Sequence, residues 1–202
     1  MAVTMIVDYK KRKILTSKGR VTLSEMDEAP TVYLVSGPLG VGKSTVSKSL
    51  ADAMTQCARI EGDLLLHMYR GKIEPPWEER LKLAWSHIAA ITRNLLGHGL
   101  DVVIDFVVEE ELEWFRRQLS DFRGTLHYVV LHAQPDTLKA RLRQRGDEQY
   151  IDRSLFLRNK LMASPENSPF LLDADIMRLD ELVEVILTDA RFRLPFRSDR
   201  TP

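Results

Sequence analysis

Nine consecutive residues, Gly37-Pro38-Leu39-Gly40-Val41-Gly42-Lys43-Ser44-Thr45, combine three glycines, a lysine and two hydroxyls at a spacing suited to binding phosphate. Glycines let the backbone turn tightly enough for successive N–H groups to point into one concavity, which is a cradle for phosphate oxygens. A helix opening at Lys43 adds about half a positive charge at the same place. From there Lys43 can reach the β- and γ-phosphates of a nucleoside triphosphate, and Ser44 can offer its hydroxyl to Mg²⁺. Later in the chain, Val102-Val103-Ile104-Asp105 is an apolar run ending in a carboxylate. Asp105 can hold magnesium through its water shell or orient an acceptor. Apolar strands also end in Asp for reasons of turn chemistry, so it is the preceding cradle that argues for a metal role. ATP and Mg²⁺ are the cofactors expected.

The Gly-x4-Gly-Lys-Ser spacing is the Walker A pattern, and it has weight only between a strand and a helix. Thr31-Val32-Tyr33-Leu34-Val35-Ser36 is a short β-branched run broken by glycine, which reads as a buried strand. After Lys43, Val46, Leu50 and Ala53-Met54 recur on one helical face. A second strand is expected at Cys57-Ala58-Arg59-Ile60. A long helix follows over residues 77–96, with Leu81, Trp85, Ile88, Ile91 and Leu95 inward. The third strand is residues 101–105, Glu109-Glu110-Glu111 open a further helix, and residues 126–132 form the fourth strand. Pro135 starts a helix running to Arg145. A polar stretch from residue 146 leads into a helical segment around residues 155–162. A fifth strand is expected at residues 174–179, followed by a last helix. Strands alternating with helices imply a parallel sheet covered on both faces.

Bulk composition narrows the partners. Of 202 residues, 44% are hydrophobic and 29% charged, the formal charge balances to zero, and this is the make-up of a folded domain. A nucleic-acid or membrane reading would need a local patch, and neither partner is expected. The single cysteine, Cys57, lies in an apolar run and reads as an inert core thiol. With no long apolar run and no leader-like segment, a cytoplasmic protein is expected, as a monomer or homodimer. Residues 1–30 form a basic arm, containing Lys10-Lys11-Arg12-Lys13, that reads as an appended hairpin or loosely ordered segment. Residues 191–202 read as an arginine-rich tail.

The cradle, the alternating elements and the run Leu138-Lys139-Ala140-Arg141-Leu142-Arg143-Gln144-Arg145 together resemble the nucleoside-monophosphate-kinase-like group of P-loop proteins. The resemblance covers residues 31–190 and is narrowest with small-molecule kinases of the gluconate- and shikimate-kinase, chloramphenicol-phosphotransferase and zeta-toxin types. It implies an α/β P-loop NTPase three-layer sandwich, a five-stranded parallel sheet with helices on both faces, and a short lid over residues 146–158. It assigns Arg141 to the base side and Arg145 to the phosphates, with Arg153, or else Arg158, reaching the transferring group from the lid. It also places Asp63 opposite the acceptor hydroxyl, as base or orienting group, with Glu61 as competitor and a helix cap as the bland alternative. His67, Arg70, Arg80, Trp85 and Arg93 are the implied candidates for lining the acceptor pocket, with Trp85 more naturally a core residue.

The function implied is transfer of the γ-phosphate to a hydroxyl of a small-molecule acceptor, with Lys43, Asp63, Arg145 and Arg153 catalytic. The acceptor signatures of shikimate kinase and a clear nucleoside-monophosphate-binding pattern are missing, so the acceptor stays unassigned. Two other readings remain: a polynucleotide 5′-kinase, resting on the basic termini, and a nucleotide-operated ATPase or binding switch that would need no Asp63.

Overall fold

A computed structural model describes residues 6–8, 13–16, 19–22 and 29–196. In the N-terminal arm, β1 (Ile6–Asp8), β2 (Lys13–Thr16) and β3 (Gly19–Thr22) form an antiparallel sheet in that order. Lys10, Lys11 and Arg12 of the basic run fall outside the described residues.

The main domain begins with β4 (Thr31–Ser36) and α1 (Lys43–Asp52). It continues through β5 (Cys57–Glu61), α2 (Gly62–Leu66), α3 (Trp77–Gly97), β6 (Asp101–Asp105), α4 (Leu112–Gln118) and β7 (Thr125–His132). α5 (Pro135–Arg145), α6 (Ile151–Ala163), β8 (Leu171–Asp173), α7 (Leu179–Thr188) and β9 (Arg193–Pro195) complete it. The strands lie in the order β5-β6-β4-β7-β8, all parallel. β4 is therefore central: the chain goes first to the sheet edge at β5, returns to insert β6 beside β4, then crosses to build β7 and β8 on the other side. The crevice beyond the carboxyl end of β4 is the switch point at which such sheets bind ligands.

Burial on both faces explains why these strands are nearly all apolar rather than alternating. Val32, Leu34, Val35, Val102, Val103, Ile104 and Val129 to Leu131 are completely buried. α1 packs with α7, while α3 packs on β6 beside α2 and α4. The buried side of α3 is Ala84, Trp85, Ile88, Ala89, Thr92 and Leu96, with Ile91 exposed. The inward stripe is thus rotated from the one expected through Ile91, because two alanines let the helix approach β6 on a side that larger residues do not mark. No helix among the described residues is long and apolar enough to cross a membrane.

Four sequence expectations change. The fifth strand is Leu171–Asp173, and residues 174–178 form the turn into α7 rather than a strand. The sheet has a sixth strand, β9, which pairs antiparallel with the amino-terminal half of β7 while β8 pairs with its carboxyl-terminal half. Residues 191–196 are accordingly not a tail: Phe192 and Phe196 are buried, and Arg116 donates from Nε and Nη2 to the Pro195 carbonyl at 3.1 and 2.8 Å. Residues 197–202 of the expected tail lie outside the described ones. Finally, Glu109 and Glu110 precede α4 instead of opening it, and the Glu111 carboxylate accepts from both their N–H groups.

Candidate active site

The cradle starts one residue past β4. Gly37 takes φ 142°, and a Cβ there would stand 2.5 Å from the Leu131 carbonyl oxygen, so only glycine lets the loop pass so close to β7. Gly42 precedes α1 with no side-chain cap, and the first helical bond runs from Val46 N–H to the Gly42 carbonyl at 3.0 Å. The N–H groups of Lys43, Ser44 and Thr45 therefore have no helical acceptor and are available to an anion. The hydroxyl-bearing Ser44 and Thr45 are exposed, while Lys43 is buried and donates from Nζ to the Pro38 carbonyl at 3.1 Å. Burial pushes the Lys43 ammonium below its ordinary pKa. Asp105 and Asp63 pull it back up, and Arg145 adds to the lowering. Those four groups thus share one electrostatic environment around the cradle.

Asp105 closes β6 at 7% exposure, and its carboxylate accepts no hydrogen bond among the described residues. A buried carboxylate left without a donor, in the field of Lys43 and so on the side of the cradle where Ser44 follows, fits magnesium, which takes one or two protein oxygens and completes its shell with water and substrate phosphate. Asp105 and Ser44 are the residues that would hold it.

Asp63 reaches this place because of a close approach that the motif does not reveal. Gly62, at the start of α2, lies so near the Phe106 ring that a Cβ would be 2.4 Å from it, and Phe106 follows Asp105 directly. The start of α2 is thereby held against the end of β6. Asp63 falls inside α2 and makes no capping bond, which removes the helix-cap alternative. Asp63 is exposed, yet the groups crowded around its carboxyl raise it above the ordinary value, desolvation being the largest cause. Lys43 opposes that rise, and Asp105 reinforces it. The competitor Glu61 is engaged elsewhere, bound to Arg59 at 2.5 Å, and Arg59 also donates to Ser47 Oγ at 3.1 Å.

On the other side of the cradle, Arg141 donates to the Val41 carbonyl at 2.9 Å and faces Asp175 at 3.6 Å. Arg145, one turn later, is exposed, and among the described residues it has no hydrogen-bond or ion-pair partner. Gly146, at φ 77°, then ends α5. Residues 146–158 are not one loop: a 3-10 turn at Glu148–Tyr150 leads straight into α6, whose first turns carry Arg153 and Ser154. The Ser154 hydroxyl is buried and donates to the Leu39 carbonyl of the cradle at 2.7 Å. Arg158 donates to the Ala133 carbonyl at 2.7 Å. Arg153 is bound to Glu109 and lies over the Phe156 ring.

The acceptor-side candidates separate. His67 is exposed, and Arg70 closes the end of α2 through the His67 and Tyr69 carbonyls. Arg80 pairs with Glu74 at 2.7 Å against Trp77. Trp85 is a core residue between Phe106 and Phe115. Arg93 does not line the site, being gripped by both Asp121 oxygens and the Gln118 carbonyl beyond α4. Sequence reasoning missed Gly62, Glu109 and Ser154. A glycine just before the candidate base was the only local signal among them.

Residues 32–164 match the family model described as AAA domain, a stretch that runs from β4 through α6 and contains the cradle, Asp63, Asp105, Arg141, Arg145 and Arg153. The chain belongs to that family of P-loop proteins. It is 30% identical over 191 residues to guanylate kinase of Prochlorococcus marinus subsp. pastoris, covering 80% of this chain and 97% of that protein. Among solved structures it is similar to a gluconokinase from Sinorhizobium meliloti 1021 (TM-score 0.54, 22% identity, 79% of this chain and 91% of that one). It is also similar to a sugar kinase from Janibacter sp. HTCC2649 (TM-score 0.58, 18% identity, 81% and 95%). At those identities the two structures establish the fold. The chain is a P-loop, kinase-like nucleotide-binding protein of the nucleoside-monophosphate-kinase-like group.

Proposed function

We propose that this AAA-domain protein is an ATP-dependent phosphotransferase that moves the γ-phosphate to a hydroxyl of a small molecule. The observation carrying this reading is that Asp63, a carboxylate with no hydrogen-bond donor among the described residues, shares the field of Lys43 and Asp105. A switch that only binds nucleotide has no use for a second carboxylate there, whereas an attacking hydroxyl needs somewhere to leave its proton; whether that hydroxyl belongs to an acceptor or to water is what acceptor-dependent ADP release decides.

In this scheme the N–H groups of the cradle and Lys43 bind the β- and γ-phosphates, and Arg141 borders the base. Ser44 and Asp105 would hold magnesium, which would supply charge neutralisation for the phosphates. The acceptor oxygen attacks phosphorus while the bond to the ADP oxygen breaks, and the hydroxyl proton passes to Asp63. Its raised pKa makes Asp63 a better base than an ordinary aspartate. Arg145 and Arg153 offset charge on the transferring group, so catalysis rests on positioning and electrostatics.

Sugars and sugar acids come first among hydroxyl acceptors to try, and guanylate, suggested by the similarity to a guanylate kinase, is the contrasting case, since its acceptor atom would be a phosphate oxygen with no hydroxyl proton for Asp63. The test is ADP release and product mass with ATP, Mg²⁺ and each acceptor in turn. The expected outcome is acceptor-dependent ADP formation that falls by several powers of ten in Lys43→Ala and by about 10²–10⁴ in Asp63→Asn. The acidic limb of kcat/KM should lie above pH 3.8, displaced in the direction of the Asp63 shift. ADP release that no acceptor stimulates, and that Asp63→Asn leaves intact, would return the protein to the switch reading.

A further inference from the structure

Arg153 and Lys160 lie two turns apart on one side of α6, and both reach the same carboxylate. Glu109, four residues past Asp105 on the loop from β6 to α4, takes Arg153 on Oε1 and Lys160 on Oε2 at 3.1 Å. Lys160 also binds Glu110 at 2.9 Å. The Glu109 side chain is only 18% exposed, so this is a partly desolvated cluster. The same helix is pinned to the cradle by the residue next to Arg153: Ser154 donates to Leu39. The Arg153 backbone therefore stands beside the phosphate loop, while its guanidinium is held by a carboxylate on the loop that follows Asp105. An arginine side chain is long enough to serve either place from one backbone position.

We propose that Glu109 is a positioning residue that parks Arg153 away from the phosphates, so that the arginine swings to the γ-phosphate only when a triphosphate is present. The inference rests on the phosphotransferase reading above. Glu109 and a phosphoryl oxygen compete for one guanidinium, and both are anions that arginine binds through paired N–H groups. Lys160 makes the exchange workable. It stays on Glu109 when Arg153 leaves, so the carboxylate is never stranded without a counter-charge, which is the usual obstacle to breaking a partly buried ion pair. A diphosphate has no γ-oxygens to win the arginine, so the cluster distinguishes ATP from ADP.

The experiment measures binding of Mg²⁺ with a nonhydrolysable ATP analogue, and separately with ADP, to the full chain and to Glu109→Gln, Arg153→Ala and the double variant. Glutamine keeps the shape and an acceptor oxygen while weakening the hold on Arg153. Glu109→Gln should tighten the ATP analogue about three- to ten-fold and leave ADP unchanged. In the Arg153→Ala background the same substitution should do nothing. Equal changes for both nucleotides, or a gain that persists without Arg153, would show a merely structural carboxylate and overturn the proposal. Binding of both nucleotides with no selective change in Glu109→Gln would overturn the positioning role alone. Failure of the parent chain to bind either nucleotide would overturn the phosphotransferase reading and this inference with it.

Discussion

At the scale of single residues, the site depends on contacts in which a methyl group is one atom too many. Gly62 is the sharpest case, because the Phe106 ring that fills the space of its missing Cβ is itself wedged against Trp85 at 5.2 Å. The ring has no easy retreat. Gly62→Ala should therefore destabilise the fold by about 1–3 kcal/mol, the usual cost of overpacking. It should also shift α2, so that acceptor-dependent turnover falls more than nucleotide affinity. Thermal melts together with ADP binding and kcat will separate the two effects. Loss of ADP affinity in proportion to turnover would mean that α2 does not serve the acceptor side. Gly37 and Lys43 are legible in the sequence because the cradle is a local spacing. Gly62 is not, because what forbids a side chain there is a residue 44 positions later.

At the scale of elements, what was read correctly is what repeats locally, and what was missed depends on distant partners. β4 to α1 is a buried run, a glycine loop and an apolar stripe in succession, and nothing remote is needed to see it. β8 was placed too late because Leu171-Leu172-Asp173 is only three residues long and takes its strand geometry from pairing with Val130 to His132. β9 is three residues with a proline and two exposed positions, and only the free edge of β7 makes it a strand. α6 is the element with most bearing on function, since it touches the cradle, the end of β7 and the loop after β6. Ser154→Ala removes its bond to Leu39 and leaves a partly buried carbonyl short of a donor. About 1 kcal/mol of stability should go with it, and ADP affinity should fall several-fold as the cradle loosens. Calorimetric binding and melting of the variant check this. An unchanged affinity would mean that α6 does not brace the loop.

At the scale of the whole molecule, polar groups buried far apart in sequence join the two halves of the sheet. The Ser36 hydroxyl accepts from Val108 N–H at 3.0 Å and bonds to Tyr128, whose own hydroxyl donates to Asn167 at 3.0 Å. Asn167 in turn donates to the Leu161 carbonyl at the end of α6. Burial raises the Tyr128 phenol well above its ordinary pKa, so this chain stays uncharged. His127 sets a limit on stability. It is buried beside Tyr33 with Nδ1 at 3.1 Å from the Ile186 carbonyl, and desolvation lowers its pKa below the ordinary 6.5. The unfolded chain then binds this proton more readily than the fold does. Stability should be fully present above pH 6.5 and decline as pH falls below it, by at most about 1.4 kcal/mol per pH unit from this group. Urea unfolding between pH 7 and 5 should show a shallower decline in His127→Gln, and an unchanged slope would assign the acid sensitivity to other groups.

Gly124, just before β7, joins the beginning of the domain to its end: a Cβ there would sit 2.4 Å from the Pro30 carbonyl oxygen and 2.6 Å from the Phe196 ring. The chain thus enters and leaves the domain at one spot, at the opposite ends of β4 and β7 from the cradle, a strand's length or about 20 Å from the phosphates. Whatever is joined directly before Pro30 or after Phe196 is tethered at that remote pole. A fusion partner or surface anchor attached there leaves the mouth of the nucleotide crevice facing away from the attachment.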